Sequence, residues 1–270
     1  MKIKYNNNLV RNEQQPFHLV DKSPWPLATA IGALQLVLTL VMYLHYNILS
    51  FYQFSILAFI YPFFRWMSDI IIESTYQGHH TLKVRNGLKL GMILFIVSEI
   101  MFFFAFFFAF FNASLNPSIW IGNIWPPEDI QLIDPFGLPL VNTILLLSSG
   151  FSLTWAHSAL ISTKRTHVLL GLGLTIILGL IFILCQLFEY KTANFSINDG
   201  IYGSIFYIST GFHGFHVLVG TIFLIVCWFR QLQYHFLDSQ HLGFELSAWY
   251  WHFVDVVWIF LWFWVYVWGS

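Results

Sequence analysis

The stretch GLKLGMILFIVSEIMFFFAFFFAFFNAS, residues 87–114, is apolar almost throughout and carries one acid, Glu99, and one base, Lys89. A helix rises about 1.5 Å per residue and the hydrocarbon core of a bilayer is about 30 Å thick, so about 20 such residues span it. This run is long enough. Working outward from it, six more stretches meet the same test, at about 27–46, 51–72, 139–160, 168–190, 201–229 and 244–268. The segments between them hold loop-forming residues: Asn116-Pro117, Trp125-Pro126-Pro127 and Asp134-Pro135 before the fourth, and Asn198-Asp199-Gly200 before the sixth. Ten-residue alternating segments, the mark of a membrane barrel, are absent, and so is an internal repeat of the inverted-transporter kind. The expected fold is all-α and polytopic, with seven transmembrane helices in one membrane domain.

Composition agrees. Of 270 residues, 57% are hydrophobic, 20% aromatic and 9% charged, against about 25% charged in soluble domains. That excludes a soluble enzyme, whose surface so few charges could not cover. A net charge of −1 without a basic tail points to no nucleic-acid partner. Cys185 and Cys227 lie deep in apolar runs, which is neither a disulfide framework nor a thiolate metal site. The first twenty residues lack an apolar signal core, so the chain is expected to keep its N-terminus. Basic residues group on one side of the membrane: Lys2, Lys4, Arg11 and Lys22 in the N-terminal arm, then Lys83, Arg85, Lys89, Lys164, Arg165 and Arg230. The other side has Lys191, with Glu128, Asp129 and Asp134 in its longest loop. The excess of Lys and Arg puts the N-terminus inside and the C-terminus outside.

Ionisable groups within a span are costly and default to functional candidates. Glu99 lies about 18 Å of helix from Gly87, and desolvation there favours the neutral carboxyl. Two readings stay open for it: a proton-binding or relay group, and a protonated carboxyl hydrogen-bonded to a neighbouring helix. In the last span Glu245, His252 and Asp255 fall near one helix face, and His252 can pair with Asp255 at i, i+3. His213 and His216 stand three apart in the sixth span, and His157 lies near the end of the fourth. No cysteine or carboxylate lies at ligand spacing beside them. The plainer reading of these histidines is hydrogen bonding between helices, with no metal site. Ala105 and Ala109, four apart in the phenylalanine run, make a small-residue strip of the kind that lets helices approach closely, and are expected to form a packing seam. Trp residues near the ends of the last span suit an interfacial belt. From these residues alone a transporter, a proton-handling subunit and an assembly scaffold all remain open.

The stretches PFHLVDKSPWPL (16–27), ESTYQGHHT (73–81), GMILFIVSE (91–99), LPLVNT (138–143), TWAHSAL (154–160), FSINDGIYGS (195–204), STGFHGFHVLVG (209–220), FRQLQYHF (229–236) and AWYWHFVDVVWIF (248–260), with a terminal WGS, are long and ordered along the chain. Through them, from Pro16 to Ser270, the sequence closely resembles the cytochrome c oxidase subunit III family, mitochondrial type. The resemblance implies an arm at 1–15 and a seven-helix domain at 16–270. It implies a 2+5 V-shaped bundle, with helices I–II at 27–72 and III–VII at 87–268, and phospholipids in the cleft. It implies a non-redox core subunit of respiratory complex IV in the mitochondrial inner membrane. That complex reduces O2 with electrons from cytochrome c and pumps protons. The resemblance places haem a, haem a3 and copper in partner subunits, with no cofactor, catalytic residue or metal in this chain. The implied partners are subunits I and II, accessory subunits, and phospholipids such as phosphatidylglycerol or cardiolipin. Glu99 matches the family's buried helix-three carboxyl, which reacts with a hydrophobic carbodiimide, and Glu73, His80, Lys89 and Arg230 match positions that meet lipid head groups. The family's implied work is to stabilise subunit I and support rapid proton uptake into it.

Some positions depart from the family pattern. Phe64-Arg65-Trp66-Met67-Ser68-Asp69 replaces a Trp-Trp-Arg-Asp run, Ile72 stands where a second Arg precedes Glu73, and Phe108 replaces a Trp. The implied lipid contacts therefore carry over in part. Two rivals stay open: subunit III of a quinol oxidase, and a proton-coupled transporter, which would need broken helices around a polar cavity.

Overall fold

A computed structural model describes residues 16–48, 50–128 and 130–269. The arm at 1–15, with Lys2, Lys4 and Arg11, and Asp129 lie outside the described residues. Seven long helices follow in order: α1 (Trp25–Tyr46), α2 (Ser50–Thr75), α3 (Leu82–Leu115), α4 (Leu138–Ile161), α5 (Arg165–Thr192), α6 (Gly200–Leu232) and α7 (Leu242–Leu261). A short 3-10 turn, Ile119–Ile121, lies between α3 and α4, and π-helical turns over Trp262–Trp268 extend α7. Each of the seven is long and apolar enough to cross a membrane. The helices outrun the expected spans chiefly at one end: α2 continues to Thr75 and α6 to Leu232. Intrahelical bonds still satisfy the backbone where the apolar run has stopped, so helix and hydrophobic stretch need not end together.

The chain forms two compact units, residues 1–88 and 89–270, with the boundary inside α3. In the first unit α1 and α2 form a hairpin. Asn47 ends α1 in the left-handed region (φ 55°), and its N–H donates to the Tyr43 carbonyl at 2.9 Å. At Gly32 the helices are so close that a Cβ would collide with the Ala58 carbonyl oxygen. A buried hydroxyl pair, Thr39 Oγ1 with Ser55 Oγ at 2.7 Å, ties them further along. The segment before α1 is fastened to the turn after α2. Thr81 donates to the Pro16 carbonyl, and the His18 and His79 rings stack with centroids 4.7 Å apart.

In the second unit the interior is built around two indoles of α7. Trp251 fills a slot opened by glycines, because a Cβ on Gly179 of α5 or Gly220 of α6 would stand 2.7 and 2.9 Å from its ring. Its Nε1 donates to Ser149 at 2.9 Å, and Trp258 Nε1 donates to Thr143 at 3.0 Å. Both rings are buried, so the tryptophans in the middle of α7 are core, each with its one polar atom satisfied. The face of α3 that packs is aromatic. Phe103 and Phe110 are buried and Phe106 and Phe107 pack against the same core. Ala105 and Ala109 are exposed, so the expected seam is not among the contacts α3 makes within this chain. At 3.6 residues per turn the phenylalanines at i, i+3, i+4 and i+7 share one face, and the alanine strip falls outside it.

Candidate functional site

Glu99 reaches from α3 to α6. Its Oε2 lies 2.8 Å from His216 Nε2, and His216 Nδ1 lies 2.6 Å from the Phe212 carbonyl. A carbonyl only accepts, so Nδ1 carries a hydrogen and donates. Nε2 is then either the acceptor of a proton on Glu99 or, in an imidazolium, a second donor to a carboxylate. One proton is shared by the pair in both cases. Phe102, Phe103 and Phe253 surround the imidazole. The Glu99 side chain keeps 22% of its surface exposed, so it lies at the rim of the bundle.

Asp255 is enclosed by contrast, at 6% exposure. Gly150 of α4 makes its room, since a Cβ there would stand 2.9 Å from Asp255 Oδ2. His252 Nδ1 stands 3.9 Å from that oxygen, within ion-pair reach and beyond hydrogen-bond length. Glu245, placed with these two on one face by spacing, turns elsewhere. His213 Nε2 donates to the Val254 carbonyl at 3.2 Å, joining α6 to α7.

Two groups were not legible as sites. Glu189, at 2% exposure, accepts at Oε1 from Tyr266 OH at 2.7 Å and from Gln186 Nε2 at 3.1 Å. Gln186 in turn accepts from Asn142 Nδ2 at 3.4 Å. This network joins α4, α5 and the π-helical turns. The available signal was a carboxylate within the last turns of a span with a glutamine three residues earlier. The second group joins His157 of α4, His241 just before α7 and Glu245 of α7, whose ligand-type atoms all lie within 4.8 Å of one another. Lys89 Nζ stands 2.6 Å from Glu245 Oε2.

Most of the remaining charged candidates lie near helix ends, Arg65 within α2 being the exception. In the first unit Glu73 faces His18 at 4.0 Å, and His80 meets the His18 ring edge-on at 6.2 Å. Arg65 lies over the Trp25 ring at 5.4 Å. In the second unit Arg230 covers the Phe236 ring at 4.5 Å, and Gly243 leaves space for its guanidinium, which a Cβ would meet at 2.6 Å. Arg165 binds the Tyr234 hydroxyl at 2.6 Å and the Leu232 carbonyl at 2.8 Å, fastening the α4–α5 turn to the end of α6. Burial, then the Arg230 guanidinium, pushes the His235 imidazole below its ordinary value.

A family model described as cytochrome c oxidase subunit III matches residues 15–270. The chain is 51% identical over 259 residues to cytochrome c oxidase subunit 3 of Pelomedusa subrufa, covering 96% of this chain and 99% of that relative. It is 49% identical to the protein of that name from Nanger granti and 50% to that from Tragelaphus oryx, each with the same coverage.

Proposed function

The chain belongs to the cytochrome c oxidase subunit III family, and on that premise we propose that it is a non-redox subunit whose work is to hold lipid, stabilise subunit I and support proton uptake. As a multi-pass membrane protein of this family it is part of the cytochrome c oxidase complex. In this reading haem a, haem a3 and copper sit in subunits I and II. The membrane is the mitochondrial inner membrane, with the N-terminus on the matrix side and the C-terminus in the intermembrane space.

The observation that carries the proposal is the Glu99–His216 pair. An imidazole whose Nδ1 hydrogen is already committed to a carbonyl holds one exchangeable proton jointly with a carboxyl at 2.8 Å. Such a pair passes a proton without redox chemistry of its own. Asp255, with His252 beside it, is the second carboxyl assigned to this work. Glu73 and His80 in the first unit, and Lys89 and Arg230 in the second, are assigned to lipid head groups. Each basic residue near a phosphate surface contributes roughly 1 kcal/mol.

The test is removal of this chain from the purified complex. Turnover is expected to fall as pH rises and protons become scarce, while the haem spectra stay intact. Unchanged turnover at every pH would overturn the proton-uptake role, and loss of the haem spectra would overturn the non-redox assignment.

A further inference from the structure

We propose that His157, His241 and Glu245 form a divalent-metal site, best suited to Zn2+, with Lys89 holding the carboxylate when the metal is absent. The three residues come from α4, the loop before α7 and the first turn of α7, and their ligand-type atoms lie within 4.8 Å of one another. Around Zn2+, with bonds of about 2.1 Å, tetrahedral ligands stand about 3.4 Å apart. His241 Nε2 and Glu245 Oε1, at 3.5 Å, already have that spacing.

The hydrogen bonding is arranged as a metal site requires. His241 Nδ1 donates to the Leu237 carbonyl at 3.0 Å, which fixes the tautomer and leaves the Nε2 lone pair facing Glu245. A metal-bound imidazole characteristically gives its other N–H to such a carbonyl. His157 Nε2 is buried with no hydrogen-bond partner, and its ring stacks on Phe244 at 5.6 Å. An interhelical hydrogen bond therefore does not account for that nitrogen, whereas a cation does. Two imidazoles and a carboxylate suit Zn2+ and other borderline divalent ions better than Mg2+ or Ca2+, which prefer all-oxygen sets. Three protein ligands leave the fourth position to water.

Lys89 decides how tightly the site binds. Its ammonium stands 2.6 Å from Glu245 Oε2 and its side chain is 39% exposed, so an arriving cation competes with it for the carboxylate and displaces it outward. Removing that competitor must strengthen metal binding, an effect with no counterpart if the cluster is only structural.

The experiment uses the intact oxidase complex, stripped with a chelator and titrated with Zn2+ alone, with bound zinc counted per haem. Wild type is expected to hold one Zn2+ more than His157→Gln or His241→Gln, whose affinity at this site falls by more than about 100-fold, the upper end of what losing an outer-shell partner costs. Lys89→Met is expected to tighten the same site about tenfold, equivalent to about 1.4 kcal/mol. Equal zinc counts in wild type and both histidine variants would overturn the proposal. If those variants assemble poorly, Lys89→Met decides, and affinity equal to or below wild type overturns it.

Discussion

Glu99 and Glu189 are both carboxyls within the helices of one bundle, and they are partnered in opposite ways. Glu99 lies at the rim, and its hydrogen-bond partner is an imidazole, His216. Glu189 is enclosed and meets a phenol and an amide, Tyr266 and Gln186, which are backed by Asn142. A carboxyl facing an imidazole has somewhere to send a proton. A carboxyl facing a phenol and an amide serves as an acceptor that closes a hydrogen-bond network across three segments. Burial alone does not mark function; the chemistry of the partner does.

Substitutions at the two carboxyls should separate these roles. The largest effect is expected at Glu189→Leu, which strands the Tyr266 hydroxyl and the Gln186 amide. Buried donors left without an acceptor cost about 1–3 kcal/mol each, so a loss of about 3 kcal/mol should appear in thermal unfolding and in retention of this subunit by the complex. Tyr266→Phe removes one bond and leaves Gln186 in place, and should cost about 1 kcal/mol by the same measurement. Glu99→Gln should cost less than about 0.5 kcal/mol, because the new amide can donate to His216 Nε2 and keep a neutral hydrogen bond. Haem spectra and electron transfer should be unchanged in that variant. Breaking a buried ion pair costs about 3–5 kcal/mol, so a loss of that size at Glu99 would show the pair to be charged and bring the two carboxyls closer in role.

The smallest effect belongs to a control outside both regions. His235 is held below its ordinary value of 6.5 by burial and by Arg230. The unfolded chain therefore binds its proton more readily than the folded one, and stability rises with pH across this titration. His235 weighs on neither state above pH 7, and its destabilising effect sets in as pH falls below about 6.5. Between pH 7 and pH 5, His235→Gln should lose slightly less thermal stability than wild type.

The seven spans were legible because length and apolarity suffice to define a membrane helix. Glu99 was legible because it interrupts such a run, and His252 with Asp255 because three residues on a helix bring side chains together. The His216 partner of Glu99 was not legible: the two belong to helices far apart in sequence, and periodicity says nothing of which helices adjoin. Glu189 was obscured by Lys191 two residues on, which makes the segment read as an ordinary helix end. The cluster of His157, His241 and Glu245 needs three segments folded together, and only the His241–Glu245 spacing of four is visible beforehand. The alanine strip shows the converse: its spacing permits close packing, yet it lies outside the aromatic face by which α3 packs in this chain.

The π-helical turns at Trp262–Trp268 give chain length an angular meaning. A π turn closes its hydrogen bond one residue later than an α turn, so it stores an extra residue inside a continuous helix. Deleting one residue there would let the segment return to α winding. The helix would still hold together, but the residues beyond the deletion would turn about its axis, and Tyr266 with them, away from Glu189. At this end of the bundle, the number of residues sets a rotation as well as a length.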